Sequence, residues 1–232
     1  EALFDMDVFG NFEYRRGLTF VCSGGRINNW ATLRHNRFLE LWRDVRQLDV
    51  SDYDLVVSDY EPVTAWAARR AGKRVVGIGH QYAFGAGTPR AGHSWWSSLI
   101  MRSFAPADLP MGLHWHPYAD NVLPPILDLP QLKTTTGEHI LVYLPFEDPD
   151  EVTAVLQQFP QQRFVQYAAG LERATRGNVR RYPADRCGFK RHLASSAGVI
   201  CNSGFELISE CLQWGKPVLT KPLQGLMEQQ SN

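Results

Sequence analysis

The chain has 232 residues, 44% of them hydrophobic and 21% charged, with 24 Lys and Arg balanced by 24 Asp and Glu. This is an ordinary globular composition, long for one α/β domain and suited to two modest ones. A formal net charge of zero supplies no long-range field for DNA or RNA, which excludes nucleic acid as the expected partner.

Along the chain, Leu33 to Arg46 sets Phe38, Trp42 and Val45 on one face at helical spacing, predicting an amphipathic helix. Asp54 to Ser58 is a short buried strand, and Asp59-Tyr-Glu-Pro62 a turn. Pro62 then opens a helix over Val63 to Ala71 that Gly72 closes, and Arg74 to Ile78 is the next strand. Strand, helix and strand in this order imply a parallel pair in a sheet covered on both faces. His93 to Phe104 reads as an apolar helix and Leu113 to His116 as a strand. Pro124-Pro125, Pro130 and Lys133-Thr-Thr-Thr-Gly137 read as a linker.

Beyond the linker the alternation restarts. Strands are expected at His139–Leu144, Arg163–Tyr167, Asn178–Tyr182, Gly198–Ile200 and Pro217–Leu219. Helices are expected at Asp150–Gln158, Phe189–Ser195 and Phe205–Trp214, with another from about Met227. The fold class is therefore α/β, with two doubly wound, Rossmann-like parallel-sheet domains facing across a cleft, residues 1–130 and 138–232. Ligands of such sheets bind beyond the carboxyl ends of the strands. That selects the loops at Asp59–Glu61, His80–Tyr82, Pro145–Glu147 and Asn202–Phe205.

The turn at Asn202-Ser203-Gly204 precedes a helix whose first N–H groups lack intrahelical partners, a natural seat for phosphate. The competing reading makes Ser203 the helix cap and Glu206 the partner in a capping box. Glu210 lies further inside the same helix between Ile208 and Leu212, where a carboxylate can take both hydroxyls of a ribose. Glu228-Gln229 opens the next helix with groups able to bind several sugar hydroxyls.

Taken together, Ser203-Gly204, Ser209-Glu210, Gly215-x-Pro217, Pro222 and Glu228-Gln229-x-x-Asn232 resemble the donor half of GT-B glycosyltransferases. The nearest likeness is to the glycosyltransferase family 28 group, which contains the N-acetylglucosaminyltransferase of peptidoglycan lipid synthesis. Asp54-Leu-Val-Val-Ser-Asp-Tyr-Glu-Pro62 and Gly79-His-Gln-Tyr-Ala-Phe84 resemble an uncharacterised bacterial and archaeal branch. The resemblance implies a hexosyltransferase that uses a UDP-sugar as substrate, with no cofactor and no metal, and inverts the anomeric carbon. It places the diphosphate at Ser203, Gly204 and Phe205, the ribose at Glu210 and the hexose at Glu228 and Gln229. The uracil edge would meet the backbone of Cys187-Gly-Phe189. A nucleotide-sugar 2-epimerase and a non-catalytic nucleotide-sugar-binding module are the alternatives. Relatives open with a Gly-rich, His-bearing loop and close with further helices. The start at Glu1 and the end at Asn232 read as a fragment lacking both.

On the acceptor side His80, Asp59 and Glu61 are the candidate catalytic residues. His80 sits at a strand end as the natural base near neutral pH, while Asp59 competes as a helix cap. The acceptor would be a hydroxyl on a glycan, a lipid-linked sugar or another small molecule. Trp95 and Trp96 are either domain core or a peripheral membrane contact. Cys22, Cys187, Cys201 and Cys211 show no Cys-x-x-Cys pair or matching His spacing, so neither zinc nor a disulfide framework is expected, and His114 and His116 lack a third ligand. With no bilayer-length apolar run and no signal peptide, the expected location is the cytoplasm, with or without membrane association.

Overall fold

The computed structural model describes residues 14–85, 87–91 and 95–232. A small antiparallel hairpin comes first, β1 (Cys22–Ser23) with β2 (Arg26–Ile27), followed by α1 (Asn29–His35) and α2 (Phe38–Gln47). Then come β3 (Leu55–Ser58), α3 (Pro62–Arg70), β4 (Arg74–Gly79), a 3-10 helix (His80–Gly85), α4 (Trp95–Phe104), β5 (Leu109–Leu113) and β6 (Val122–Leu123). After the extended segment 124–138 follow β7 (His139–Tyr143), α5 (Pro149–Leu156), β8 (Arg163–Tyr167), β9 (Ala174–Arg176) and β10 (Val179–Tyr182). The chain closes with α6 (Arg186–Ser195), β11 (Gly198–Asn202), α7 (Phe205–Gln213), β12 (Val218–Lys221) and α8 (Met227–Ser231).

Two parallel sheets organise these elements. One has the order β3-β4-β5-β6; the other has the order β12-β11-β7-β8-β10-β9, parallel except for β9. In the second sheet Leu141 and Val142 are neighbours on one strand, so their side chains leave by opposite faces, and both are fully buried. Leu141 packs with Val165, Leu193 and Ile208, whereas Val142 packs with Leu156, Phe164 and Val179. Helices therefore cover both faces of that sheet. A smaller core of Val50, Val56, Ala68 and Val75 sits behind the first sheet.

The helix expected over Leu33 to Arg46 is broken in two. Asn36 ends α1, its backbone N–H donating to Thr32 O and its side-chain amide to Thr32 O and Thr19 O. Such local side-chain bonds outcompete the helical ladder. The apolar face of α2 is open, with Phe38 50% and Trp42 57% exposed. The strand expected at Leu113–His116 lies earlier, at Leu109–Leu113, where Pro110 and Gly112 hide the strand signal. His114 and His116 fall in the turn beyond it, His116 N–H donating to His114 Nδ1. Strands β6 and β9, only two and three residues long, are too short to leave a periodic signal in the sequence. Helix α6 starts three residues before the expected Phe189 because the Asp185 carboxylate accepts from the N–H groups of Cys187 and Gly188.

Candidate functional site

The carboxyl ends of the two sheets face each other across a cleft of about 820 Å³. All four loops selected from sequence reach it, through Asp59, His80 and Gln81, Pro145 and Phe146, and Asn202, Gly204 and Phe205. Glu206, Leu207, Glu228 and Gln229 complete its second-sheet side.

On that side β11 ends at Asn202 and α7 begins at Phe205. The helix cap falls on Gly204, and no side chain caps the first turn, so the competing reading, a capping box of Ser203 and Glu206, does not hold. The leading N–H groups of α7 thus open on the cleft with their partial positive charge unspent. Ser203 is buried, and its carbonyl accepts from Asn232 Nδ2 at 2.9 Å. Buried Asn202 donates from Nδ2 to Lys221 O at 2.9 Å, while its Oδ1 finds no partner among the described residues.

Glu228 accepts a 3.0 Å hydrogen bond from Gln81 Nε2, joining α8 to the loop after β4. Burial pushes its carboxyl up, against the opposing pull of His80 and Gln81. Gln229 is buried and its Oε1 accepts from Leu223 N–H at 2.9 Å, which shapes the loop before α8.

Glu210 lies off the cleft. It pairs with Lys190 of α6, and burial raises its carboxyl while Lys190 opposes the rise. Lys190 and Cys187 line a second cavity of about 380 Å³, together with Asp128, Pro130 and Arg186. Segment 124–138 joins the two cavities, with Pro125, Ile126 and Leu127 on the cleft and Asp128, Pro130 and Leu132 on the second cavity. The first-turn amides near Phe189 are taken by Asp185: its carboxylate holds Cys187 and Gly188, and its carbonyl holds Phe189. The Phe189 ring packs edge-on against Tyr143 and Tyr167.

The three acceptor-side candidates separate clearly. The Glu61 carboxylate caps α3, accepting from Val63 N–H at 2.8 Å and Thr64 N–H at 2.7 Å. The His80 ring uses Nδ1 on Leu113 O at 2.7 Å and Nε2 on Asn232 Oδ1 at 2.9 Å, so neither nitrogen is left for an acceptor hydroxyl. Asp59 reaches the cleft without a hydrogen bond from the described protein groups. Its carboxyl is pushed up by partial burial. Trp95 and Trp96 have side chains outside those described.

Two features were not foreseen. Lys190 is the partner of Glu210; it stands one helical turn from Arg186, which alone signals nothing. The β1–β2 hairpin docks on the second half, Gly25 N–H donating to Phe146 O at 3.1 Å and Gln224 N–H to Gly25 O at 3.0 Å. Gly25 has φ of +69°, and a Cβ there would overlap the Glu147 carboxylate, which itself pairs with Lys221 at 2.7 Å.

With parallel sheets, a shared cleft and an uncapped helix start in place, comparison with known proteins identifies the lineage. The profile of glycosyl transferase family 1 matches residues 3–232. The chain belongs to that family. Its α/β architecture is that of the GT-B glycosyltransferases, built on Rossmann-like domains. Among solved structures it is similar to the glycotransferase of kitacinnamycin, at 11% identity and a TM-score of 0.56, covering 88% of this chain and 67% of that one. It also matches the glycosyltransferase SnogD of Streptomyces nogalater, at 16% identity and a TM-score of 0.47 over 80% of this chain. A third match is Arabidopsis thaliana UGT89C1 complexed with UDP-L-rhamnose, at 10% identity and a TM-score of 0.40, covering 83% of this chain and 57% of that one. The chain spans 59% of the length of SnogD. No curated protein matches it. The profile match is to family 1, and the narrower likeness to the peptidoglycan enzyme's group gains nothing from it. Among the described residues no helix is long and apolar enough to cross a membrane.

Proposed function

We propose that this family-1 glycosyltransferase moves a hexose from a UDP-sugar to a hydroxyl acceptor, with division into residues 1–130 on the acceptor side and 138–232 on the donor side. The observation that carries the reading is the uncapped start of α7, opening on the cleft with Glu228 and Gln229 beside it. Free N–H groups at a helix start hold a diphosphate and stabilise its charge as it leaves, which supports transfer without a metal. The nucleoside would extend into the second cavity, with Glu210 reaching the ribose once it shares Lys190 with the ligand. The hexose would lie in the cleft against Glu228 and Gln229.

Asp59 is the group best placed to act as base. It faces the cleft with no competing bond, and a raised carboxyl is the better proton acceptor at working pH. It takes the acceptor hydroxyl's proton as that oxygen attacks the anomeric carbon. The bond from that carbon to the diphosphate breaks, and UDP departs with the electron pair. Attack from the face opposite the leaving group inverts the centre. Calorimetric titration with UDP, followed by UDP release with and without candidate acceptors, tests the reading. No UDP binding would overturn it, UDP release without any acceptor would favour epimerisation, and binding without turnover would favour a binding module.

A peripheral membrane contact is supported by a surface other than the one expected. On α2, Leu39, Trp42, Arg43 and Arg46 follow at i, i+3, i+4 and i+7, forming one stripe, and Arg46 lies 3.6 Å over the Trp42 ring. Trp30 of α1 is 77% exposed and Leu39 is 82% exposed. Segment 14–48 holds seven arginines against Glu40 and Asp44, in a chain whose net charge is zero. Aromatic and aliphatic side chains flanked by arginine suit an anionic bilayer surface.

A further inference from the structure

The His80 ring is faced by two acceptors and no donor. Leu113 offers a carbonyl oxygen 2.7 Å from Nδ1. Asn232 is locked in orientation, because its Nδ2 must donate to Ser203 O at 2.9 Å. Its Oδ1 is thereby turned to His80 Nε2, also at 2.9 Å. A neutral imidazole carries one N–H and one lone pair, and a lone pair set against a carbonyl oxygen at either distance is repulsive. Satisfying both contacts requires a proton on each nitrogen.

From this we infer that His80 is an imidazolium at neutral pH and a positioning residue of the donor site, holding the Ser203–Phe205 turn and placing a positive charge behind the amides that receive a nucleoside diphosphate. The hold has two parts. Through Asn232 the ring fixes the Ser203 carbonyl, and its flat face lies on Phe205 with centroids 3.9 Å apart and planes 7° from parallel. Phe205 is the first residue of α7, so the cation sits at the helix start whose own partial charge has the same sign. Neither contribution alone makes an anion site as strong as the two together.

A cation only 5% exposed needs compensation, and the surroundings supply it. Glu228 of α8 feels the charge of His80 directly, and the Phe205 ring offers its electron-rich face. Glu206 of α7 and Asp59 beyond β3 also border this part of the cleft. On the other side His114, packed 5.4 Å from His80, is held below the usual histidine range by burial and by the His80 charge. Tyr82 contributes a phenol that burial keeps neutral. The arrangement is one cation among acids, with the neighbouring histidine neutral. The ring therefore serves binding and has no proton-accepting site to offer the acceptor.

The inference rests on the turn at Ser203–Phe205 being the diphosphate site, and two measurements separate the claims. Nitrogen-15 NMR of the unaltered protein reads His80 directly. Both ring nitrogens protonated at pH 7 is the expected result, and one unprotonated nitrogen overturns the inference whatever the protein binds. Calorimetry with UDP from pH 6.5 to 8.5 then compares the unaltered protein with His80→Gln, which keeps an amide donor but carries no charge. The unaltered protein should bind about tenfold tighter at the acid end, and the variant should lose that advantage and the slope with it. Parallel pH profiles would sink the role of the charge while leaving the donor site standing. Failure of the unaltered protein to bind UDP at any pH would remove the donor site itself. Should His80→Gln fail to fold by circular dichroism, the NMR result still decides the protonation, and the pH slope of the unaltered protein decides whether that charge serves the diphosphate.

Discussion

Lys190 of α6 grips the carboxylate of Glu210 of α7, and the two side chains keep only 13% and 14% of their surface exposed. Burial disfavours the charged carboxylate, and the ammonium opposes that effect. Replacing Glu210 by Gln should lower UDP affinity at least tenfold, since hydrogen bonds to a charged group contribute about 1.5–3 kcal/mol. Calorimetry on the folded variant checks this, and unchanged affinity would remove Glu210 from the donor site. Gln is the better substitution than Ala, because an unpaired Lys190 would cost stability as well.

Asp59→Asn keeps the shape of the side chain and deletes its proton affinity. Transfer should slow by about 10²- to 10⁴-fold, the range general-base catalysis supplies, while UDP affinity stays within a factor of two or so. A rate close to that of the unaltered protein would assign the base to another group.

Glu61 makes an opposite prediction. Its carboxylate is spent on the amides of Val63 and Thr64, so Glu61→Ala should cost about 0.5–2 kcal/mol of stability and leave the chemical step alone. Urea unfolding together with a turnover assay tests both halves of that statement.

The pH dependence of stability should carry the mark of the second half. His139 and His192 are both held below the usual histidine range of 6.5, chiefly by burial. The unfolded chain then binds protons more readily than the folded one, so their contribution is full above pH 6.5 and is lost as pH falls. Glu210 and Glu228 act with the reverse sign, their raised carboxyls contributing most below pH 4.5 and less as pH rises. The share of stability owed to the two histidines should therefore shrink between pH 7.5 and 5.5, and His139→Gln should show a smaller loss of urea midpoint over that range than the unaltered protein.

Exposed Leu39 and Trp42 beside Arg43 and Arg46 predict salt-sensitive binding to vesicles containing anionic phosphatidylglycerol and little binding to neutral phosphatidylcholine. Trp42→Ser with Arg46→Glu should abolish the difference. Concentration-dependent dimerisation in place of vesicle binding would reassign the face to a second copy.

The parallel layout and the four cleft loops were legible because buried strands advertise themselves, as at Leu55–Ser58 and Arg163–Tyr167. The turn between β11 and α7 was legible because Gly204 and the following apolar helix fix a local geometry. What stayed hidden depends on distance in the chain. Nothing near Glu61 says that its carboxylate, and not that of Asp59, caps the helix. Nothing near His80 announces Asn232, which lies 152 positions away. The break at Asn36 has a local cause that periodicity hides, a side chain competing for backbone groups inside an otherwise periodic stretch.

The docking of Gly25 and Arg26 on Gln224 has a consequence for how the protein comes together. The contact between Arg26 and Gln224 spans 198 positions, among the most expensive loops this chain can close. Each sheet can assemble from neighbouring segments first, whereas this junction must wait until both exist. The opening hairpin is thus the last stitch of the fold. Substitutions there should leave early refolding phases intact and slow only the step in which the cleft acquires its final shape.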